Sequence, residues 1–306
     1  MVEFFVLGRA LRAFNADPQW ERWLRNHWHY PQHELPRSDF TITLTQCAES
    51  PTLEAGDWST LPLMDQSVSA RLEETSVTLA DAHCGARLEV GSNSAALAFW
   101  GAAPVLGAVL HALVSEALRA SGLLSLHASA AAQGNRVTAF LGDSGAGKTT
   151  TLLRAWTTGW RPVCEDLLWL EPAALGVYGW DRGLRLLPDT LERFAALLPA
   201  MRLGSSQPDK WFVPYAELGL GSVSETLGLT RLALLRRGDD ATTVWSPASR
   251  RETALALWQA TGLPLTKVSQ ANVATAIAAL TDRVDAHHLT LGHSDFSPLP
   301  DSETTP

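Results

Sequence analysis

The chain has 306 residues, of which 46% are hydrophobic and 18% charged, a balance that excludes an intrinsically disordered chain. Its formal net charge of −8 argues against nucleic acid or an anionic membrane surface as the main partner, because both attract clustered positive charge. Only three of the 24 basic residues are lysines, Lys148, Lys210 and Lys267, so the place of each is worth asking about. Cys47, Cys84 and Cys164 form no CxxC pair and are odd in number; no closed disulfide framework follows, and a reducing, cytoplasmic compartment is expected.

The opening MVEFFVLGRALRAF is broken by Glu3, Arg9 and Arg12 and does not read as a secretory signal. Asp17-Pro18 marks a helix start, with Asp as cap and Pro in the first turn, so QWERWLRNHW reads as a tryptophan-rich amphipathic helix. Residues 39–46, SVSARLEE, SVTLAD and ARLEVG alternate in a strand-like way with short polar breaks, which predicts a β-meander. Val90 to Ser115 carries no charged residue, but Ser92, Asn93, Ser94, Gly101 and Pro104 divide it into a strand and a later helix rather than a membrane span.

In the second half, LSLHASAAA and RVTAFLG are apolar runs on either side of a Gln133-Gly134-Asn135 turn. A glycine-rich loop, a helix over TTTLLRAWTTG and the run VCEDLLWL follow, an α/β pattern with a local parallel sheet. VYGWDRGLRLL reads as a hairpin, LERFAALLPAM as a helix and GLTRLALLRRG as a strand; helices are expected at 250–261 and 271–282. Gly204-Ser205-Ser206 suggests a mobile loop, and the tail from about 293 is polar. Two domains are expected, an N-terminal α+β region over 1–102 and a second domain over 103–306.

Gly142-Asp143-Ser144-Gly145-Ala146-Gly147-Lys148-Thr149 fits G-x-x-x-x-G-K-[ST] between a strand and a helix. Glycines let successive backbone N–H groups turn inward, and this nest with the helix N-terminus suits phosphate oxygens. Lys148 supplies a compact charge between the terminal phosphates, Thr149 a hydroxyl for Mg²⁺, and Thr150 continues the helix start. The pattern points to ATP or GTP with Mg²⁺. Glu165-Asp166 arrives one helix and one return strand after Lys148, so one carboxylate can serve the metal while the other accepts a proton from an attacking hydroxyl. By spacing alone His127, in a run of small apolar residues, reads as a core histidine.

The segment from Leu126 to Leu170, with its His on one strand, GDSGAGKT loop and adjacent acidic pair one helix later, resembles the core of the HPr kinase/phosphorylase superfamily. RLLPD (185–189) and DKWFVP (209–214) resemble a pattern of HPr-kinase-related proteins, some of which accompany lasso-peptide and other peptide-modification systems. The resemblance implies an α/β P-loop kinase core like the nucleotide domain of phosphoenolpyruvate carboxykinase, beside a β-rich N-terminal region. It implies that Gly142 to Thr150 bind the nucleotide phosphates, that Asp166 or Glu165 serves metal and base, with Thr149 and Asp166 as metal ligands, and that His127 supports that carboxylate or the phosphoryl group. Arg185 and Lys210 would help neutralise phosphate charge.

The pair is Glu-Asp where HPr kinases have Asp-Asp, and nothing resembles the E-I-R-G-L-G segment tied to phosphorylase activity. The expectation is therefore a one-way kinase acting on a serine hydroxyl of a peptide or small protein, with no nucleic-acid or membrane partner; relatives are often multimeric, which leaves room for a homo-oligomer. Two alternatives stay open: a nucleotide-binding interaction module, to which twelve tryptophans could give an interface, and a small-molecule kinase on the same core.

Overall fold

The structure, a computed structural model, describes residues 1–28, 38–49, 57–63, 66–101, 105–196, 204–207, 210–215, 218, 227–238 and 242–292. The expected polar tail lies outside these residues. The protein is mixed α/β and forms two compact units, Met1–Leu123 with Leu263–Ala274, and Leu124–Gly262 with Thr275–Pro306. Among the described residues no helix is long and apolar enough to cross a membrane.

The first unit contains β1 (Val2–Val6), β2 (Arg9–Phe14), α1 (Pro18–Trp28), β3 (Thr41–Gln46), β4 (Ser59–Leu63), β5 (Gln66–Leu72), β6 (Ser76–Ala80), β7 (Gly85–Val90), β8 (Ser94–Trp100) and α2 (Val105–Ala120). Its strands form one sheet in the order β1-β2-β3-β8-β7-β6-β5-β4. The expected meander is present from β5 to β8; β3 instead runs parallel to both β2 and β8. The Asp17 carboxylate accepts from the N–H groups of Gln19 and Trp20, both at 2.9 Å, which caps α1. Trp20, Leu24 and Trp28 then fall on one buried face, and Trp20 meets Phe99 edge-on.

Helix α2 packs on β6, β7 and β8. It belongs to the first unit, so the division falls after Leu123 rather than at 102/103. Glu116 of α2 is fully buried and accepts from the backbone of Leu265 and Thr266 and from the Thr266 hydroxyl at 2.7–3.0 Å, which satisfies one carboxylate oxygen and ties the returning segment to this unit. Six tryptophans, Trp20, Trp28, Trp100, Trp169, Trp180 and Trp245, are buried; Trp211 and Trp258 are exposed. Half of the twelve tryptophans are thus core packing.

The second unit contains β9 (Leu124–His127), β10 (Ser129–Gln133), β11 (Arg136–Leu141), α3 (Lys148–Thr157), β12 (Arg161–Cys164), β13 (Leu167–Glu171), β14 (Gly176–Gly179), β15 (Gly183–Leu186), α4 (Pro188–Arg193), β16 (Gly204–Gln207), β17 (Lys210–Pro214), β18 (Leu227–Arg237), β19 (Val244–Pro247), α5 (Arg250–Ala260), α6 (Lys267–Arg283, whose first half lies in the first unit) and β20 (Asp285–Leu291). The main sheet runs β12-β10-β11-β18-β14-β13-β9, with β20 beside β18 and β19 beside β20; β15, β17 and β16 form a small antiparallel sheet. Phe140, Leu152, Leu153, Ala233 and Leu289 join one core cluster; a fully buried side chain of the larger kind contributes about 1.5–3 kcal/mol.

The structure corrects four expectations. The strand after α3 does not pair with β11: β10 intervenes, antiparallel to both, and the parallel neighbours are β11, β18 and β20. VYGWDRGLRLL is not a hairpin, because β14 pairs with β13 and β18 whereas β15 pairs with β17. The described part of the expected loop, 204–207, is a strand paired with β17, and α4 is shorter than predicted, ending at Arg193. Periodicity reports which face is buried but not which strand lies alongside.

Candidate functional site

Strands β11, β18 and β20 run parallel, so their carboxyl ends share one edge of the sheet, where open α/β sheets place their ligand crevices. The glycine loop leaves β11 at this edge and enters α3. Gly145 and Gly147 hold φ of +79° and +102°, a region that costs L-residues with a Cβ. Gly142 has no room for a larger residue: an added Cβ would stand 2.8 Å from the Ala146 Cβ. Lys148 Nζ folds back to donate to the carbonyls of Gly142 (2.8 Å) and Asp143 (3.2 Å). Burial lowers its pKa from the usual lysine value, against the pull of Asp166 and Glu165.

The acidic pair reaches the loop through matched interruptions in two strands. His127↔Leu167 and Ala130↔Cys164 lie on one antiparallel register, broken between them on both sides. At the gap the Ala128 N–H donates to the Asp166 carbonyl at 3.1 Å. The break frees Glu165 and Asp166 from regular pairing, one position from the His127↔Leu167 pair. His127 Nε2 is 3.4 Å from Asp166 Oδ1. The Thr149 hydroxyl donates to Glu165 Oε1 at 2.6 Å. The Glu165 side chain is 7% exposed and that of Asp166 35%.

Burial raises the Glu165 carboxyl above the usual range, opposed by the Thr149 hydroxyl and Arg185. Burial lowers the His127 pKa from its usual value, with Asp166 acting the other way.

Arg185 pairs with both acidic residues, with Nη2 2.7 Å from Asp166 Oδ2 and Nε 3.4 Å from Glu165 Oε2. Lys210, at the start of β17, lines the same cleft, whose volume is about 770 Å³ and which also takes in Ser144 to Thr150 and His127. The structure therefore brings every residue singled out at 127, 144–150, 165, 166, 185 and 210 to one cleft. Gly142 and Asp143 line a neighbouring chamber of about 600 Å³. Lys267 lies elsewhere, paired with Glu74 at 3.1 Å with both side chains exposed.

Two site residues escaped the sequence reading. Asp181, between β14 and β15, accepts on one oxygen from the backbone N–H groups of Glu165 (2.8 Å), Asp166 (2.7 Å) and Leu167 (3.1 Å), and its other oxygen faces Arg185 at 3.4 Å. Its i,i+4 spacing to Arg185 is the only local signal, and the hairpin reading put it in a turn. Arg237, at the end of β18, donates to the Gly145 carbonyl at 2.6 Å. The doubled arginine before Gly238 was the available hint.

Among the described residues no group of three or more His, Cys, Asp or Glu could hold a metal unaided. A hard cation such as Mg²⁺ needs less, since it keeps several waters and takes phosphate oxygens; the adjacent oxygens of Thr149 and Glu165 fit it. No protein-family model matches the chain, and a search of curated proteins finds no match either.

Proposed function

We propose that this protein is a phosphotransferase that moves the terminal phosphoryl group of ATP or GTP to a hydroxyl, a serine of a peptide or small protein. The observation that carries the reading is the joint placement of Thr149 against Glu165 and of His127 against Asp166, beside a glycine loop whose lysine lies at its own first half. The resemblance of the Leu126 to Leu170 segment to the HPr kinase core supports it.

Roles follow from the contacts. Glu165, bonded to Thr149, takes the metal side, which the sequence had given to Asp166. Asp166, more exposed and 3.4 Å from His127, accepts the hydroxyl proton. Bound Mg²⁺ would supply charge to the phosphate oxygens. Lys148, Arg185, Lys210 and Arg237 surround the cleft with positive charge, which suits a transition state whose charge spreads over three equatorial oxygens.

The test is transfer of label from γ-labelled ATP with Mg²⁺ to serine peptides. Lys148→Ala and Asp166→Asn are expected to abolish transfer, and Asp166→Asn to retain nucleotide binding by calorimetry. Full transfer by either variant overturns the reading.

A further inference from the structure

The glycine loop has two ends, and they face different spaces. Gly145 to Thr150 and Arg154 line the main cleft, together with Leu291 at the end of β20 and Gly292 after it. Gly142 and Asp143 line the second chamber, which α5 closes with Leu255, Ala256 and Gln259. Ser144 and His127 line both. In loops of this type the lysine reaches the β- and γ-phosphates. Lys148 Nζ rests on the carbonyls of Gly142 and Asp143, so the terminal-phosphate end of the loop is the end beside the second chamber. Attacking and leaving oxygens stand roughly in line. A nucleoside in the main cleft therefore leaves the acceptor to approach from the chamber.

The chamber wall has a definite chemistry. Arg236 is tied to Glu252 at 2.9 Å, and Glu252 also closes the capping box of α5 with Ser249. Asp143 adds a carboxylate, which repels a phosphate. Leu141, Leu234, Leu235, Ala256 and Leu255, the last 57% exposed, give the chamber an apolar side, beside Ser144, Gln259 and the two histidines, His127 and His288.

We infer that the second chamber receives the acceptor, an uncharged and apolar peptide segment that presents its hydroxyl past His127. The inference rests on the phosphotransfer reading. In the step itself the acceptor oxygen bonds to the γ-phosphorus, the bond from that phosphorus to the β–γ bridging oxygen breaks, the hydroxyl proton passes to Asp166, and the nucleoside diphosphate leaves.

The probe is acetyl-Leu-Ala-Ser-Leu-Ala-amide, titrated into the full chain with Mg²⁺ and a non-hydrolysable ATP analogue. Ala256→Trp fills the chamber, and Leu255→Asp puts a charge at its exposed wall without disturbing the core. Both are expected to weaken peptide binding by about tenfold or more and to leave affinity for the analogue unchanged. A peptide that does not bind the wild type, or that binds both variants as tightly, overturns the inference. Label transfer separates it from the reading beneath: binding blocked by Ala256→Trp with no label moved sinks phosphotransfer and leaves a peptide site, whereas equal transfer by wild type and variants keeps phosphotransfer and sinks the chamber.

Discussion

Asp181 illustrates how one buried side chain can organise a site through its backbone. Three successive N–H groups converge on one of its oxygens, and this fixes the backbone from which Glu165 and Asp166 project. Asp181→Asn swaps one of those oxygens for an amide and lessens the hold on Arg185. We expect turnover to fall about 10- to 100-fold, as for other residues that orient functional carboxylates, with nucleotide affinity retained; steady-state kinetics beside calorimetry checks this.

Glu165 makes a second prediction, through its raised pKa. A carboxyl whose pKa is higher folded than unfolded is favoured protonated, so its stabilising contribution is present below the unfolded value near 4.5 and is lost as pH rises through the folded value. At neutral pH the buried charge is a cost. Glu165→Gln is therefore expected to raise the melting temperature at pH 7, to lose that advantage below about pH 4, and to lose phosphotransfer. Thermal melts across pH measure the first two.

At the scale of elements, the glycine loop works because two different constraints act on its glycines. Gly145 needs only its positive φ, since nothing stands within 4 Å of an added Cβ. Gly142 has an ordinary φ but faces the Ala146 Cβ at 2.8 Å and the Leu235 Cβ at 3.2 Å, neither of which is the far end of a flexible side chain. Gly145→Ala should cost about 1–2 kcal/mol of strain. Gly142→Ala should cost about 1–3 kcal/mol by overpacking and displace the loop, so urea unfolding should register both while nucleotide affinity falls more for Gly142→Ala. The paired strand breaks at Ala128 and at Glu165-Asp166 are the other functional element. LSLHASAAA and VCEDLLWL each read as one apolar run, because buried residues lie on both sides of the break.

At the scale of the molecule, the chain enters the second unit at Leu124 and returns to the first between Leu263 and Ala274. No local pattern announces such a return; the anchor is Glu116, far away in sequence. The same holds for α2, which looks like the start of a second domain but packs its apolar face on β6–β8.

The sequence by itself determined what depends on neighbours a few positions apart. The glycine loop, the α1 cap at Asp17, the meander from β5 to β8, and the helices α3, α5 and α6 follow from backbone freedom, capping and periodicity. It also singled out the side chains at 127, 148, 149, 165, 166, 185 and 210 that share the cleft. Tertiary structure decided what depends on pairing across the sheet: that β10 separates β11 from β12, that Glu165 rather than Asp166 meets Thr149, that Asp181 and Arg237 belong to the site, and that the loop stands between two chambers. A strand's alternation fixes which face is buried, but its partner is chosen by packing among distant segments, and these contacts leave no periodic trace in the chain.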